Sequence, residues 1–136
     1  MDFLAFSLSG FDDFLLYFGL SIAFVAIFAV IYVWVTPYSE IRLIREGNAA
    51  AAVSLSGTLI GYTLPLASAV IHSVNPLDMM LWAAIALVVQ ILVFIAVRLM
   101  VPDIARQITE GKIATGVFLG ALSLGAGILN AACMTY

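Results

Sequence analysis

Residues 79–97 read MMLWAAIALVVQILVFIAV, an apolar run of 19 residues without a charged side chain. Three further stretches, at residues 14–35, at residues 49–71 and from Ile113 to the C-terminus, share this character. Because a helix rises ~1.5 Å per residue, about 20 apolar residues cross a hydrocarbon core ~30 Å thick. The sequence therefore predicts an all-α integral membrane protein with four transmembrane helices.

The composition of the whole chain indicates the same class of protein. Of its 136 residues, 65% are hydrophobic and 10% are charged, whereas a soluble domain is about half apolar and about a quarter charged. The four stretches use most of the length, so we expect residues 1–136 to form a single membrane domain. The net charge of −3 argues against binding of nucleic acid, which needs a basic face to neutralise phosphates.

Residues that carry chemistry are scarce. Cys133 and His72 are the only residues of their kinds, so the sequence holds no Cys/His cluster of the type that binds zinc. The four stretches contain no Asp, Glu, Lys or Arg of the kind that carriers use for proton relays, and the chain contains no phosphate-binding glycine loop. We therefore expect neither enzymatic activity nor a bound cofactor or metal.

The charged residues predict how the chain crosses the membrane. All basic residues follow the first and third stretches, on one side: Arg42, Arg45, Arg98, Arg106 and Lys112. Acidic residues predominate on the other side, at Asp2, Asp12, Asp13 and Asp78. Since basic loops stay in the cytoplasm, the positive-inside rule predicts that both termini lie outside it. Tyr136 is expected at the outer interface as an aromatic anchor.

The second half of the chain repeats the first. With a shift of 64 residues, charged linker residues and helix residues align without a gap: Arg42 with Arg106, Glu46 with Glu110, Gly47 with Gly111, Ala50 with Ala114 and Gly61 with Gly125. This alignment predicts a duplicated two-helix unit at about residues 14–72 and 78–136. Because each unit has an even number of spans, both copies enter the membrane in the same direction, as parallel repeats.

The two basic linkers have the pattern of short amphipathic helices. Residues 36–47 place Pro37 where a helix can begin, Gly47 where it can end, and Ile41 and Ile44 three apart. Residues 101–111 follow the same plan, with Pro102, Ile104, Ile108 and Gly111. Such helices could form a docking surface for a partner at the cytoplasmic face, whereas the simpler interpretation is a solvated loop whose charges set the topology.

Small residues in the second and fourth stretches have the spacing of helix-packing motifs. They are Gly57, Gly61, Gly116, Gly120 and Gly125, the last of these four residues after Ala121. Small residues let helix backbones approach closely in a membrane. The contact predicted from them lies either within the chain or between copies in a homo-oligomer.

Three polar residues lie within the apolar stretches. Gln90 is near the middle of the third, whereas Asn130 and Ser68 lie toward the outer ends of the fourth and second. Gln90 and Asn130 differ in depth by about six residues, or ~9 Å, so we do not expect them to bond each other. A buried amide typically joins helices by hydrogen bonding, and the alternative is a ligand-binding or pore-lining role.

Several motifs resemble the YjfL family of small, uncharacterised bacterial inner-membrane proteins. These are Thr36-Pro37-Tyr38, Gly47-Asn48-x-Ala50-Ala51, Ser56-Gly57-Thr58-Leu59-Ile60-Gly61-Tyr62, Pro65-Leu66 and Asn130-Ala131-Ala132-Cys133-Met134-Thr135. The resemblance covers essentially the whole chain and implies a location and a topology, but no reaction and no functional residues. It also implies an association with membrane-stress and membrane-remodelling proteins, near whose genes such proteins occur.

These observations lead to two hypotheses of function. The first is a non-enzymatic inner-membrane protein in the lipid bilayer that forms a homo-oligomer or serves as the membrane subunit of an envelope-associated, membrane-stress type assembly. The alternative is a pore or small-solute conduit formed by the oligomer and lined by Gln90, Asn130, Ser68 and Thr63.

Overall fold

The computed structural model describes residues 2–134, and every regular element in that range is an α-helix. The elements are α1 (Asp2–Leu8), α2 (Phe11–Val35), α3 (Glu40–Arg45), α4 (Ala49–His72), α5 (Pro76–Met100), α6 (Ile104–Thr109) and α7 (Ile113–Ala132). Four helical segments, Asp2–Val35 and the helices α4, α5 and α7, are long and apolar enough to cross a bilayer. The predicted class, an all-helical protein with four transmembrane helices, is confirmed. Tyr136, the predicted anchor, and the motif residue Thr135 lie outside the described residues.

The N-terminal segment is more helical than the sequence pattern indicates. Helix α2 begins at Phe11, and α1 precedes it with all of its residues exposed, including Phe3 and Phe6. Asp12 and Asp13 lie in the first turn of α2, where carboxylates interact favourably with the helix dipole. The first candidate span therefore starts earlier than residue 14.

Helices α4 and α7 form the most extensive contact of the fold, and α5 packs against both. Helix α2 lies at the periphery and buries only Phe28 and Tyr32. The Phe28 ring stacks on Tyr62 of α4 at a centroid distance of 4.6 Å, and Tyr32 meets Phe94 of α5 edge-on at 5.0 Å. Such aromatic pairs contribute about 0.5–1.5 kcal/mol each beyond their buried area. This aromatic cluster holds α2 against the other helices.

Both linker helices end at a glycine in the left-handed backbone region. Gly47 has φ +85° and Gly111 has φ +79°. In each linker the next residue closes the helix, because Asn48 N–H donates to the Leu43 carbonyl at 2.9 Å and Lys112 N–H donates to the Gln107 carbonyl at 3.0 Å. This is the Schellman motif, which glycine favours because it has no Cβ. The predicted short helices and their glycine ends are confirmed, but the helices begin at Glu40 and Ile104 and not at Pro37 and Pro102.

The apolar face of α3 is not the predicted one. Ile41 is 51% exposed, whereas Leu43 and Glu40 are buried, because α3 packs against α4 along its other side. In α6 both predicted residues, Ile104 and Ile108, are fully buried. The linker helices therefore turn their buried faces toward the helix bundle.

The two linkers lie together at one end of the bundle. The Asn48 amide Nδ2 donates to the Ile108 carbonyl at 2.8 Å, which joins the start of α4 to the end of α6. Arg98 Nη1 lies 3.4 Å from the Val35 carbonyl oxygen, which brings the end of α5 beside the end of α2. All five basic residues consequently lie at this end, which we name the linker end.

Candidate functional site

Four of the predicted packing glycines lie where α4 crosses α7. A Cβ on Gly57 would be 2.6 Å from the Gly120 Cα, and one on Gly116 would be 2.8 Å from the Ala50 Cα. A Cβ on Gly61 would be 2.9 Å from the Ser123 carbonyl carbon, and one on Gly120 would be 3.0 Å from the Val53 oxygen. Backbones of the two helices are thus in direct contact, which is the geometry that small residues permit.

Gly125 is not part of this contact within the chain, and a role for it in packing between copies stays a prediction. A Cβ there would meet nothing within 4 Å, whereas one on Gly127 would be 2.6 Å from the Gly61 carbonyl carbon. The repeat pairs Gly125 with Gly61 as equivalent positions, but equivalent residues do not have to touch. Gly116, Gly120 and Gly127 share one helix face by their spacing of four and seven residues, and Gly125 lies on a different face.

A series of buried polar side chains runs beside the crossing of α4 and α7. Gln90 is 2% exposed, and its Nε2 donates to the Ser123 carbonyl at 3.2 Å. Thr58 donates to the Ser54 carbonyl at 2.8 Å. The Thr58 hydroxyl also lies 3.4 Å from the Ser123 hydroxyl and 3.5 Å from the Tyr32 hydroxyl. Hydroxyls from α2, α4 and α7 are therefore close to one another in the interior.

The series continues into the first linker. Ser54 lies beside the hydroxyls of Tyr32 and Tyr38. Glu40 is fully buried, and the Thr36 hydroxyl donates to its Oε1 at 2.6 Å. We name the whole set the polar track: Glu40, Thr36, Tyr38, Ser54, Tyr32, Thr58, Ser123 and Gln90.

Several buried atoms of the polar track have no hydrogen-bond partner within the described residues. They are Glu40 Oε2, Tyr38 Oη, Ser54 Oγ and Gln90 Oε1. Buried polar atoms without partners are uncommon, because each loses its hydration without compensation. Their concentration in one series distinguishes the polar track from the rest of the interior.

Burial changes the pKa values of two residues in the first linker. Burial raises the pKa of Glu40 from 4.5 to about 7, although the bond from Thr36 acts in the opposite direction. Burial and the nearby Glu40 charge raise the pKa of Tyr38 to about 12, while the Ser54 and Tyr32 hydroxyls and the Arg98 guanidinium lower it. Glu40 thus differs from an exposed glutamate, which is fully ionised at neutral pH.

The other predicted polar residues lie apart from the polar track. Asn130 Nδ2 lies 3.5 Å from the Ala86 carbonyl, and Ser68 donates to the Ala131 carbonyl at 3.2 Å. Thr63 is exposed, and its hydroxyl bonds the Ile60 carbonyl of its own helix. The predicted conduit lining of Gln90, Asn130, Ser68 and Thr63 is therefore not brought together within this chain, because α4 turns Thr63 outward.

The basic residues are spread over the surface of the linker end. Arg42 pairs with Glu46 at 3.9 Å, Arg106 with Asp103 at 3.1 Å and Lys112 with Glu110 at 3.8 Å, and each of the six side chains is about half exposed or more. Exposed pairs of this kind contribute about 0–1 kcal/mol each. Arg45 is exposed in the last turn of α3, and Arg98 lies at the end of α5. The basic set forms a charged surface and not a pocket.

Comparison with known proteins assigns the family. Residues 5–134 match the model of a family described as Domain of Unknown Function (DUF350). The chain belongs to the DUF350 family. It is 47% identical over 120 residues to the UPF0719 inner membrane protein YjfL of Escherichia coli (strain K12), and equally to the protein of the same name in Escherichia coli O157:H7. Each alignment covers 88% of this chain and 91% of the relative. The resemblance to the YjfL family is thus confirmed, and no solved structure matches the chain.

Most of the polar track gives no signal in the sequence of this DUF350 protein. Gln90 stands out as an amide in an apolar stretch, whereas Glu40 does not, because it lies in a linker that is rich in charges. Tyr32, Thr36 and Glu40 have the spacing of one helix face, four apart, but the chain leaves the helix at Thr36, so the linker conformation decides where Glu40 lies. The hydroxyls of α4 and α7 gave no comparable signal, because serine and threonine are common at helix interfaces in membranes.

Proposed function

We propose that this DUF350 protein is a non-enzymatic protein of the bacterial inner membrane that acts by assembly. It forms a homo-oligomer or serves as the membrane subunit of an envelope-associated complex of the membrane-stress type. Four apolar helices and relatives named as inner membrane proteins support the location. The collection of all basic residues at the linker end supports a cytoplasmic position for this end and periplasmic termini. The two identical glycine caps, 64 residues apart, support a pair of parallel two-helix repeats.

A groove on the outer surface carries the proposal. It lies where α4 and α7 cross, has a volume of about 420 Å³, and includes Ser56, Gly57, Gly120 and Ala121 in its lining. In lipid, helix association depends on close packing and on interhelical hydrogen bonds, since lipid tails are as apolar as leucine. A groove of small residues with an exposed serine hydroxyl offers both to an additional helix.

A second copy of the chain can supply that helix. Helix α2 crosses the full width of the membrane by its length, yet it buries only Phe28 and Tyr32 within the fold. Most of its surface is therefore available for contact between copies. A partner protein that contributes a transmembrane helix would use the same groove, which connects the two forms of the proposal.

The mass of the complex, extracted gently from its own membrane, tests the proposal. We expect a multiple of the 14.5 kDa chain, or a stoichiometric complex with another protein. Ala121 is exposed in the groove, so Ala121→Trp should fill the groove and lower the mass to that of one chain. Ala84 is also exposed, on α5, and Ala84→Trp is the matched control that should leave the mass unchanged. Recovery of single chains from the unmodified protein, or equal masses for both variants, would contradict the proposal.

A conduit for a small solute is the second candidate, and the polar track favours it. The backbone contact between α4 and α7 closes the interior of one bundle, so conduction requires an oligomer or a movement of helices. Flux into liposomes that contain the purified protein tests this candidate. Gln90→Leu removes the amide of the polar track, which lies near the middle of α5, and should abolish flux. If the unmodified protein gives only the flux of protein-free liposomes, that result would count against a conduit.

A further inference from the structure

We propose that Glu40 is a proton-binding site at the linker end of the polar track. One proton binds one carboxylate oxygen, an O–H bond forms, and the negative charge is neutralised. The proposal goes beyond assembly in the membrane and does not depend on it. Its ligand is the hydrated proton of the solution at the linker end.

The surroundings of Glu40 favour its neutral form. The side chain is fully buried, and within residues 2–134 no Lys, Arg or His lies within ion-pair distance of it. An ionised carboxylate in such a place loses its hydration without gaining a countercharge. Protonation removes this penalty, and burial raises the pKa of Glu40 to about 7, where both forms are populated under physiological conditions.

The groups that face Glu40 supply hydroxyls and no compensating cation. Helix α2 contributes Tyr32 and the linker contributes Thr36 and Tyr38, and Ser54 of α4 lies beside the Tyr32 and Tyr38 hydroxyls. Arg98 of α5 acts on Tyr38 and not on Glu40, and its Nη1 lies 3.4 Å from the Val35 carbonyl. Arg42 and Arg45, on the same helix as Glu40, are exposed to solution.

The buried atoms without hydrogen-bond partners indicate which oxygen of Glu40 binds the proton. Glu40 Oε1 already accepts a bond from Thr36, whereas Oε2 has no partner, and the same is true of Ser54 Oγ and Tyr38 Oη. A carboxylate only accepts hydrogen bonds, but a protonated carboxyl group also donates one. A proton on Oε2 therefore adds a donor to the polar track, in which Tyr38 Oη and Ser54 Oγ also lack partners.

A proton fits this cluster better than a metal cation does. Among the described residues no group of three or more His, Cys, Asp or Glu side chains could hold a metal ion. Hard cations take about six oxygen ligands, and here one of the two carboxylate oxygens is already bonded. A sodium ion held by Glu40 and the hydroxyls is nevertheless a distinct outcome that an experiment can recognise.

The site connects with the interior of the bundle. From Ser54 and Tyr32 the polar track reaches Thr58 at 3.5 Å, then Ser123 at 3.4 Å. Each hydroxyl donates and accepts, and each rotates about its C–O bond. The hydroxyl series therefore extends from the neighbourhood of Glu40 to Ser123, whose backbone carbonyl accepts from Gln90.

Infrared titration of the full-length protein in lipid nanodiscs tests the proposal. A protonated carboxylic acid has a C=O band that the carboxylate lacks. We expect this band to disappear as the pH rises, with a midpoint at about pH 7. The band should be absent from Glu40→Gln and present in Glu46→Gln. Glu46 is the matched control because it lies near the same linker helix but is exposed and paired with Arg42.

Three results would overturn the proposal. The first is a wild-type spectrum without the band above about pH 5, as for an ordinary glutamate, and the second is a band that persists in Glu40→Gln. The third is a midpoint that falls when sodium replaces potassium, because a competing cation would then occupy the site. If Glu40→Gln does not fold, Thr36→Val keeps the test decisive. Loss of the Thr36 bond should raise the midpoint by up to about one pH unit, and an unchanged midpoint would contradict the assignment.

Discussion

Two glycines of α7, only two residues apart, should respond in opposite directions to the same substitution. At Gly125 an added Cβ meets nothing within 4 Å, so Gly125→Ala should gain up to about 1 kcal/mol from the higher helix propensity of alanine. At Gly127 the Cβ would meet the backbone of Gly61, with the carbonyl carbon at 2.6 Å. Backbone cannot rotate aside as a side chain can, so α4 and α7 must separate. Overpacking of this kind costs about 1–3 kcal/mol, and since the gain in helix propensity is common to both variants, we expect Gly127→Ala to be less stable than Gly125→Ala by about this amount.

Reversible unfolding in mixed micelles with increasing sodium dodecyl sulfate, followed by circular dichroism, measures this difference. Both variants add one methyl group to the same helix, so effects on detergent binding and on the unfolded chain largely cancel. Equal free energies of unfolding, or a more stable Gly127→Ala, would refute the close contact between α4 and α7.

Two further predictions concern the linker end. Burial raises the pKa of Glu40 to about 7 from 4.5 in the unfolded chain, so the stability it contributes is complete below about pH 4.5 and is lost as the pH rises through about 7. The loss should amount to about 3 kcal/mol. The free energy of unfolding, measured at a series of pH values, should show it, and Glu40→Gln should flatten the dependence of this free energy on pH. An equal dependence on pH in the variant would exclude Glu40 as the cause. Asn48→Ala should cost about 1–2 kcal/mol in thermal stability, because the Asn48 side chain accepts from the Ala51 N–H and donates to the Ile108 carbonyl. Asn48→Asp keeps the first bond and loses the second, so an aspartate variant as stable as the wild type would show that the bond to Ile108 contributes nothing.

The spans could be predicted because their signal is local. About 20 consecutive apolar residues suffice to cross a bilayer, whatever lies beside them. The ends of α3 and α6 were equally accessible, since glycine at a helix end is a local feature of the backbone. The helical start before residue 14 could not be predicted in this way, because the exposed helix α1 has no long apolar run of its own.

The contacts could not be predicted because they depend on how helices cross. The repeat correctly suggests that Gly61 and Gly125 occupy equivalent positions, but the crossing of α4 and α7 brings Gly61 against Ser123 and Gly127. Similarly, the spacing of Ile41 in the first linker cannot reveal that α3 turns a different face toward α4. Glu40 becomes unusual only through this packing, which removes an ordinary linker glutamate from water.

Cross-linking in native membranes tests most directly the claim that copies of the chain assemble through the groove of α4 and α7. Cys133, which is exposed, is first replaced by serine in every copy. Copies with a single cysteine at Ser56, in the groove, are then co-expressed with differently tagged copies that carry one at Val30, which is exposed on α2. With a short membrane-permeant thiol cross-linker, this pair should give a product of about twice 14.5 kDa that carries both tags, and Ala84→Cys paired with Val30→Cys should give none. Monomers alone from the first pair, or equal cross-linking from both pairs, would contradict assembly of copies through this groove.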